Sequence, residues 1–324
     1  MLKNTLLIFI FTLIFFLVPI QSGLNSDVLA DNYPNNPYSI KVATFNIGPK
    51  EDESDGGPSY SKDSTEYLAW RDNRMYNLAK YITDNKYNVV YLQEFNSLRN
   101  NYDLIRLMAH LQSLHSKVKY NVVSSYTPRY DPNNTIQTMV ILSEYPFVSG
   151  SLQAIPIKNN RVVQSVLVKN TPLGSNIRLT NIHTHISQPC TDLANAQKVA
   201  WGFGSQNQIV AGDLNYDIEK KGHGCRKPNF DQMITRCTTS TCMRNLTKDI
   251  KIDWIYLLSG SNLTLISSSR FSVNPYNVSD GHRPSQAYIG TTTPPNPNYI
   301  YDTNGDTKFD ILDVIYFIKV IFGV

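Results

Sequence analysis

The chain has 324 residues, 41% hydrophobic and 17% charged, which is enough apolar material for a sizeable core and excludes disorder throughout. Its 30 Lys and Arg against 26 Asp and Glu leave a formal charge of +4, too small to identify a nucleic-acid binder by charge alone. With 20 Tyr, 16 Gly and 17 Pro, the composition fits a strand-rich globular protein and excludes a coiled coil or a collagen.

Residues 1–30 read as a signal peptide. Lys3 precedes an apolar run from Leu6 to Ile20, and Val28-Leu29-Ala30 has the small-residue spacing of a secretory cleavage site. The run is shorter than the roughly 20 residues that span a bilayer, and no later segment approaches that length. A secreted or cell-surface location follows as the expectation, with no membrane span after cleavage. Export places Cys190, Cys225, Cys237 and Cys242 in an oxidising compartment, where their even number allows two disulfides. Three pairings exist; Cys190 with Cys225 and Cys237 with Cys242 is the preferred one.

Residues 31–290 form the expected catalytic domain, in which strand-like and helix-like runs alternate. Ile40 to Asn46 alternates as a strand does, Glu66 to Thr83 has helical spacing, and Asn88 to Gln93 is a short buried-strand run. Further strands are predicted at Thr138 to Leu142, Val162 to Val168, Ile177 to Ile182, Gln208 to Ala211, Ile252 to Leu258, Leu263 to Ser267 and Gln286 to Ile289. Helices are predicted at Tyr102 to Ser116 and Thr191 to Phe203. So many strands exceed one comfortable open sheet, and the expected fold class is α/β, with two packed sheets and helices outside.

Polar residues recur at or just beyond the carboxyl ends of these strands. Asn46 closes the first, Glu94 the next, and His183 and His185 follow Arg178 to Ile182; Asp213 and Asn215 follow Ile209 to Gly212, while Asp280 and His282 precede the last strand. Singly, each is an ordinary turn or strand-end residue. Together, converging where α/β proteins bind ligands, they make a hydrolytic inventory of carboxylates, amides and imidazoles. Clustered carboxylates repel unless a cation sits among them, and hard oxygen donors without cysteine select Mg²⁺ or Mn²⁺. Asp253, inside an apolar run, requires a buried partner, and His282 is the candidate.

In chain order, Thr44-Phe45-Asn46, Leu92-Gln93-Glu94, Asn181-Ile182-His183, Gly212-Asp213-Leu214-Asn215, Ile252-Asp253-Trp254 and Ser279-Asp280-Gly281-His282 resemble the endonuclease/exonuclease/phosphatase superfamily. Within it the look is nearest to deoxyribonuclease I and the nuclease subunit of cytolethal distending toxin. The resemblance implies a four-layered sandwich of two mixed β-sheets flanked by helices, and metal-dependent phosphoester hydrolysis. It implies that Glu94 holds the metal with Asp280 and Asn46 close by. It further implies that His282, oriented by Asp253, is a general base or a phosphate-stabilising imidazolium. Asp213 would position or deprotonate the attacking water, Asn215 would grip a phosphate oxygen, and His183 would stabilise or protonate the leaving oxygen. Gly281 is an insertion in the usual Ser-Asp-His run.

DNA is the expected substrate, with Arg99 a phosphate contact and Arg129, Arg161 and Arg283 further cationic candidates. The alternatives are a secreted sphingomyelinase-like or inositol-phosphate-type phosphoesterase, and a noncatalytic binding module attached to a scaffold. A monomer is expected.

Residues 291–298 are a Thr/Pro-rich linker, and residues 299–324 form a separate segment. Asp302, Asn304, Asp306, Asp310 and Asp313 place oxygen side chains at loop positions suited to Ca²⁺, ahead of an apolar helix. This resembles one half of a dockerin type I module, departing from it at Thr307, where glycine is usual. The helix is expected to pack on a cohesin-like partner or on its own chain. Ca²⁺ should raise the melting temperature of a chain containing residues 299–324 and leave one ending at Gly290 unchanged, as calorimetry would show. An equal response from both would remove the calcium assignment.

Overall fold

A computed structural model describes residues 38–48, 59–61, 64–96, 98–128, 136–157, 161–174, 176–184, 195–196, 198–199, 202, 207–215, 253–257, 262–270, 282 and 284–291. The four cysteines, Asp280, the linker beyond Thr291 and the calcium-like tail lie outside these residues, as do His185, Arg129, Arg283 and the side chain of Arg99.

The strands are β1 (Ile40–Asn46), β2 (Val89–Asn96), β3 (Asn121–Pro128), β4 (Ile136–Ser143), β5 (Gln153–Ile157), β6 (Arg161–Val168), β7 (Ile177–His183), β8 (Gln208–Asp213), β9 (Asp253–Leu257), β10 (Leu263–Arg270) and β11 (Ser285–Thr291). Helices α1 (Thr65–Asp84) and α2 (Leu98–Leu114) follow β1 and β2. One sheet has six strands in the order β10-β11-β1-β2-β4-β3, the other five in the order β5-β6-β7-β8-β9. Each contains one parallel pair, β1 with β2 and β7 with β8, among antiparallel neighbours, so both sheets are mixed. The α/β sandwich expected from the strand count is the observed fold class.

Period-two alternation distributes the side chains. Along β1, Ile40 and Val42 pack with Val166, Leu179, Ile209 and Ala211 of the opposing sheet, whereas Ala43 and Phe45 pack with Met75, Leu78 and Ile82 of α1. The six-stranded sheet is therefore buried on both faces. This explains the near-continuous apolar runs Val89 to Leu92 and Met139 to Leu142.

Helix α1 starts at Ser64, whose hydroxyl accepts from the Tyr67 amide at 3.1 Å, with Glu66 placed favourably in the first turn. A buried ion pair joins it to α2: Arg71 Nε donates to Asp103 Oδ1 at 2.8 Å and Nη2 engages Oδ2. Arg74, one turn on, donates to the carbonyls of Ile47 and Gly48 (2.6 Å to the latter) and so fastens the helix to the chain leaving β1. Within the predicted helix Thr191 to Phe203, residues 195, 196, 198, 199 and 202 are helical. Among the described residues no helix is long and apolar enough to cross a membrane.

Leu107→Ala should cost about 3 kcal/mol in urea unfolding, because Leu107 is fully buried between α2 and its sheet. Ile105→Ala, at a position 61% exposed two residues away, should stay within about 0.5 kcal/mol of the parent.

Candidate active site

Three neighbouring strands of the five-stranded sheet end in one row: His183 on β7 is level with Asp213 on β8, and Asp213 with Asp253 on β9. This arrangement depends on Gly212. Its φ is +148°, and a Cβ there would stand 1.8 Å from the Ile182 carbonyl oxygen, so only glycine lets β8 pass β7 at this point.

Asp213 is the focus. It is 1% exposed, and its Oδ2 accepts from Asn46 Nδ2 of the six-stranded sheet at 2.8 Å and from Asn215 Nδ2 at 3.3 Å. Its Oδ1 accepts from the Asn215 amide at 2.7 Å. His183 Nε2 lies 3.6 Å and His282 Nε2 3.8 Å from the same Oδ2. Burial first, then the neighbouring charge of Asp253, pushes the Asp213 carboxyl up from 3.8 to about 7.

His282 Nδ1 meets Asp253 Oδ2 at 2.9 Å, the partnership expected from the sequence. The carboxylate accepts, so Nδ1 carries the proton and Nε2 faces Asp213. The second oxygen of Asp253, Oδ1, is buried without a hydrogen-bond partner among the described residues.

Glu94 reaches the site through a bulge that the sequence pattern did not reveal. Pairing of β2 with β4 shifts by one residue between Leu92 and Phe95, and Glu94 has φ +55°. Without that extra residue, strict alternation would aim Glu94 at α1 and α2. With it, Phe95 joins the helix-side core and Glu94 Oε1 comes within 3.4 Å of His183 Nε2. A left-handed glutamate costs about 1–2 kcal/mol, a strain of the kind found where a side chain must be aimed.

Asn46 donates to Asp213 through Nδ2 and accepts the Gly48 amide at Oδ1 (3.0 Å), so it ties the two sheets together. Asn215, at φ +47°, directs its amide to the Thr184 carbonyl at 2.8 Å as well as to Asp213, and thereby holds the turn after β8. Arg161, at the start of β6, brings Nη1 to 3.1 Å from His183 Nδ1. The sequence marked Arg161 as one cation among several; its pairing with a histidine was invisible there because strands β6 and β7 meet only in the folded sheet. Of the expected site residues, Asn46, Glu94, His183, Asp213, Asn215, Asp253 and His282 gather at this edge.

The donors present fit a divalent cation. Asp213, Asp253 and His282 each offer a ligand atom, all within 4.8 Å of one another, and the partnerless Asp253 oxygen is the kind of orphan a cation satisfies. Glu94 brings a further carboxylate to the same edge, its Oε1 3.4 Å from His183 Nε2.

No protein-family model matches the chain, and comparison with curated proteins finds no match. Solved structures do match. An endonuclease/exonuclease/phosphatase family protein from Leptotrichia buccalis C-1013-b is 16% identical, covering 77% of this chain and 99% of that one, with a TM-score of 0.54. ANGEL2, a 2',3'-cyclic phosphatase solved with adenosine-2',3'-vanadate, is 14% identical over 79% of this chain and 96% of its own, at a TM-score of 0.52. An endonuclease/exonuclease/phosphatase from Bacteroides vulgatus is 15% identical over 78% and 99%, at 0.50. At these identities the likeness is one of fold.

Since the native state holds the Asp213 proton more tightly than the unfolded chain does, the metal-free protein should lose stability as pH rises from about 4 through about 7. Mg²⁺ or Mn²⁺ should therefore raise the melting temperature more at pH 8 than at pH 5.5, where protons compete. Glu94→Gln should remove most of that rise. A rise that survives Glu94→Gln and disappears in Asp253→Asn would instead assign the cation to the Asp213, Asp253 and His282 group.

Proposed function

We propose that the protein is a divalent-metal-dependent phosphodiesterase that acts on DNA outside the cell. The observation that carries this reading is the convergence of two imidazoles and the Asn46 amide on one buried oxygen of Asp213, with Asp253 behind His282 and Glu94 beside His183. Phosphodiester hydrolysis asks for what this edge offers: a base for water, a donor for the departing oxygen, and compensation of phosphoryl charge. The fold shared with the structures named above supports the same class.

His282 takes the proton from the attacking water. Its Nε2 lone pair is available because Nδ1 is committed to Asp253, and its side chain is partly exposed where Asp213 is sealed. Asp213, held in place by Asn46 and Asn215, sets the charge that both imidazoles face. His183 donates from Nε2 to the leaving oxygen. A cation held at Glu94, with Asn46 near it, would neutralise charge on the phosphoryl oxygens when bound. Export is supported by the leader-like first 30 residues and the even cysteine count; a cohesin-like partner for the tail rests on the loop pattern alone.

Plasmid nicking in Mg²⁺ should vanish in chelator and fall at least about a hundredfold in His183→Ala and in His282→Ala. Cleavage retained by both variants would reject the site. Sphingomyelin, an inositol phosphate and a nucleoside 2',3'-cyclic phosphate, assayed in parallel, decide the substrate: turnover of one of these with DNA untouched would replace the nuclease reading.

A further inference from the structure

Arg161 does more than add positive charge to the substrate edge. A guanidinium has only donors to offer. At 3.1 Å from His183 Nδ1, Arg161 Nη1 can make a hydrogen bond only if that ring nitrogen is the acceptor. In the neutral ring the proton then sits on Nε2, the atom that faces Glu94 Oε1 at 3.4 Å and Asp213 Oδ2 at 3.6 Å, both of them acceptors. The two Nε2 approaches are too long to fix the tautomer themselves, so the Arg161 contact decides it.

His282 shows the reverse arrangement. There the Nδ1 partner is a carboxylate, Nδ1 carries the proton, and Nε2 presents a lone pair. Two histidines aimed at one oxygen thus take opposite hydrogen-bonding roles because one is backed by an arginine and the other by an aspartate.

We propose that Arg161 is a positioning residue that holds His183 as the Nε2–H tautomer, and so makes it the hydrogen-bond donor of the pair. The proposal rests on the phosphodiesterase reading for its kinetic consequence but not for its structural one. Arg161 begins a strand that pairs with β7 from Val163 onward, so its side chain can be changed without altering the β6–β7 ladder. In the reaction Nε2–H stays bonded to the ring and donates a hydrogen bond to the leaving oxygen, while the P–O bond to that oxygen breaks with its electron pair. The proton that the departed oxygen takes up comes from solvent, and the proton that His282 takes from the attacking water returns there.

The test uses the full chain with ¹⁵N-labelled histidine, free of metal, at a pH where His183 is neutral, its signals assigned by their loss in His183→Gln. Wild type should show a protonated Nε2 and an unprotonated Nδ1. Arg161→Met should shift the ring toward the other tautomer, and Arg161→Lys, which keeps a donor, should restore it. With a nucleotide diester that has an alkoxide leaving group, Arg161→Met should lower kcat at least about tenfold with KM nearly unchanged. With a p-nitrophenyl ester, whose leaving group needs no proton, the loss should be about twofold or less. An unchanged His183 tautomer in Arg161→Met overturns the proposal, as does an equal loss on both esters. If wild type turns over neither ester while the tautomer still switches, the phosphodiesterase reading fails and the structural assignment of Arg161 stands.

Discussion

A carboxylate sealed from water beside a second carboxylate is the constraint around which this protein is arranged. Asp213 and Asp253 occupy facing positions on adjacent strands, and neither has solvent to screen it. Such a pair persists only if other groups supply what water would. Here Asn46 crosses from the other sheet, Asn215 turns its backbone and side chain inward, and His282 takes Asp253. The same groups that make the burial tolerable are those a phosphoryl reaction requires. Compensation and chemistry are one set of contacts.

The layer beneath has the same logic. Gln93 of β2 donates to Asn181 Oδ1 at 2.7 Å, and Asn181 donates to the carbonyls of Leu92 and Val140. Thr44 closes the group through Gln93. These residues lie two positions or fewer before Asn46, Glu94 and His183, so a buried polar bridge underpins the site from both sheets. Satisfied networks of this kind fix relative position more sharply than apolar contact, which tolerates sliding.

Much of this was legible before any coordinates. Alternation placed β1 at its observed bounds, and helical spacing placed α1 within a residue at each end. The strands that escaped are both at sheet edges. In β3 the serines Ser124 and Ser125 interrupt the apolar alternation, and β5 carries Pro156 and is largely exposed, so neither had the buried face that writes a pattern into sequence. At the site, Asn46, His183, Asp213 and Asp253 were legible because each is a polar residue bordering or interrupting an apolar run, and His282 because buried Asp253 required a partner. The Glu94 bulge and the Arg161 contact were not. Register shifts and cross-strand neighbours belong to pairing, which a single strand does not encode.

The site straddles a seam, with Asn46 and Glu94 on one sheet and His183, Asp213 and Asp253 on the other. Every ladder bond lies within a sheet, whereas the Asn46–Asp213 and Glu94–His183 approaches cross between them. The Gln93–Asn181 bridge opposes a slide of one sheet over the other, which would part these side chains and leave both ladders whole. Loosening at the seam would therefore escape circular dichroism, which reads the ladders, and would register only in a probe that spans both sheets.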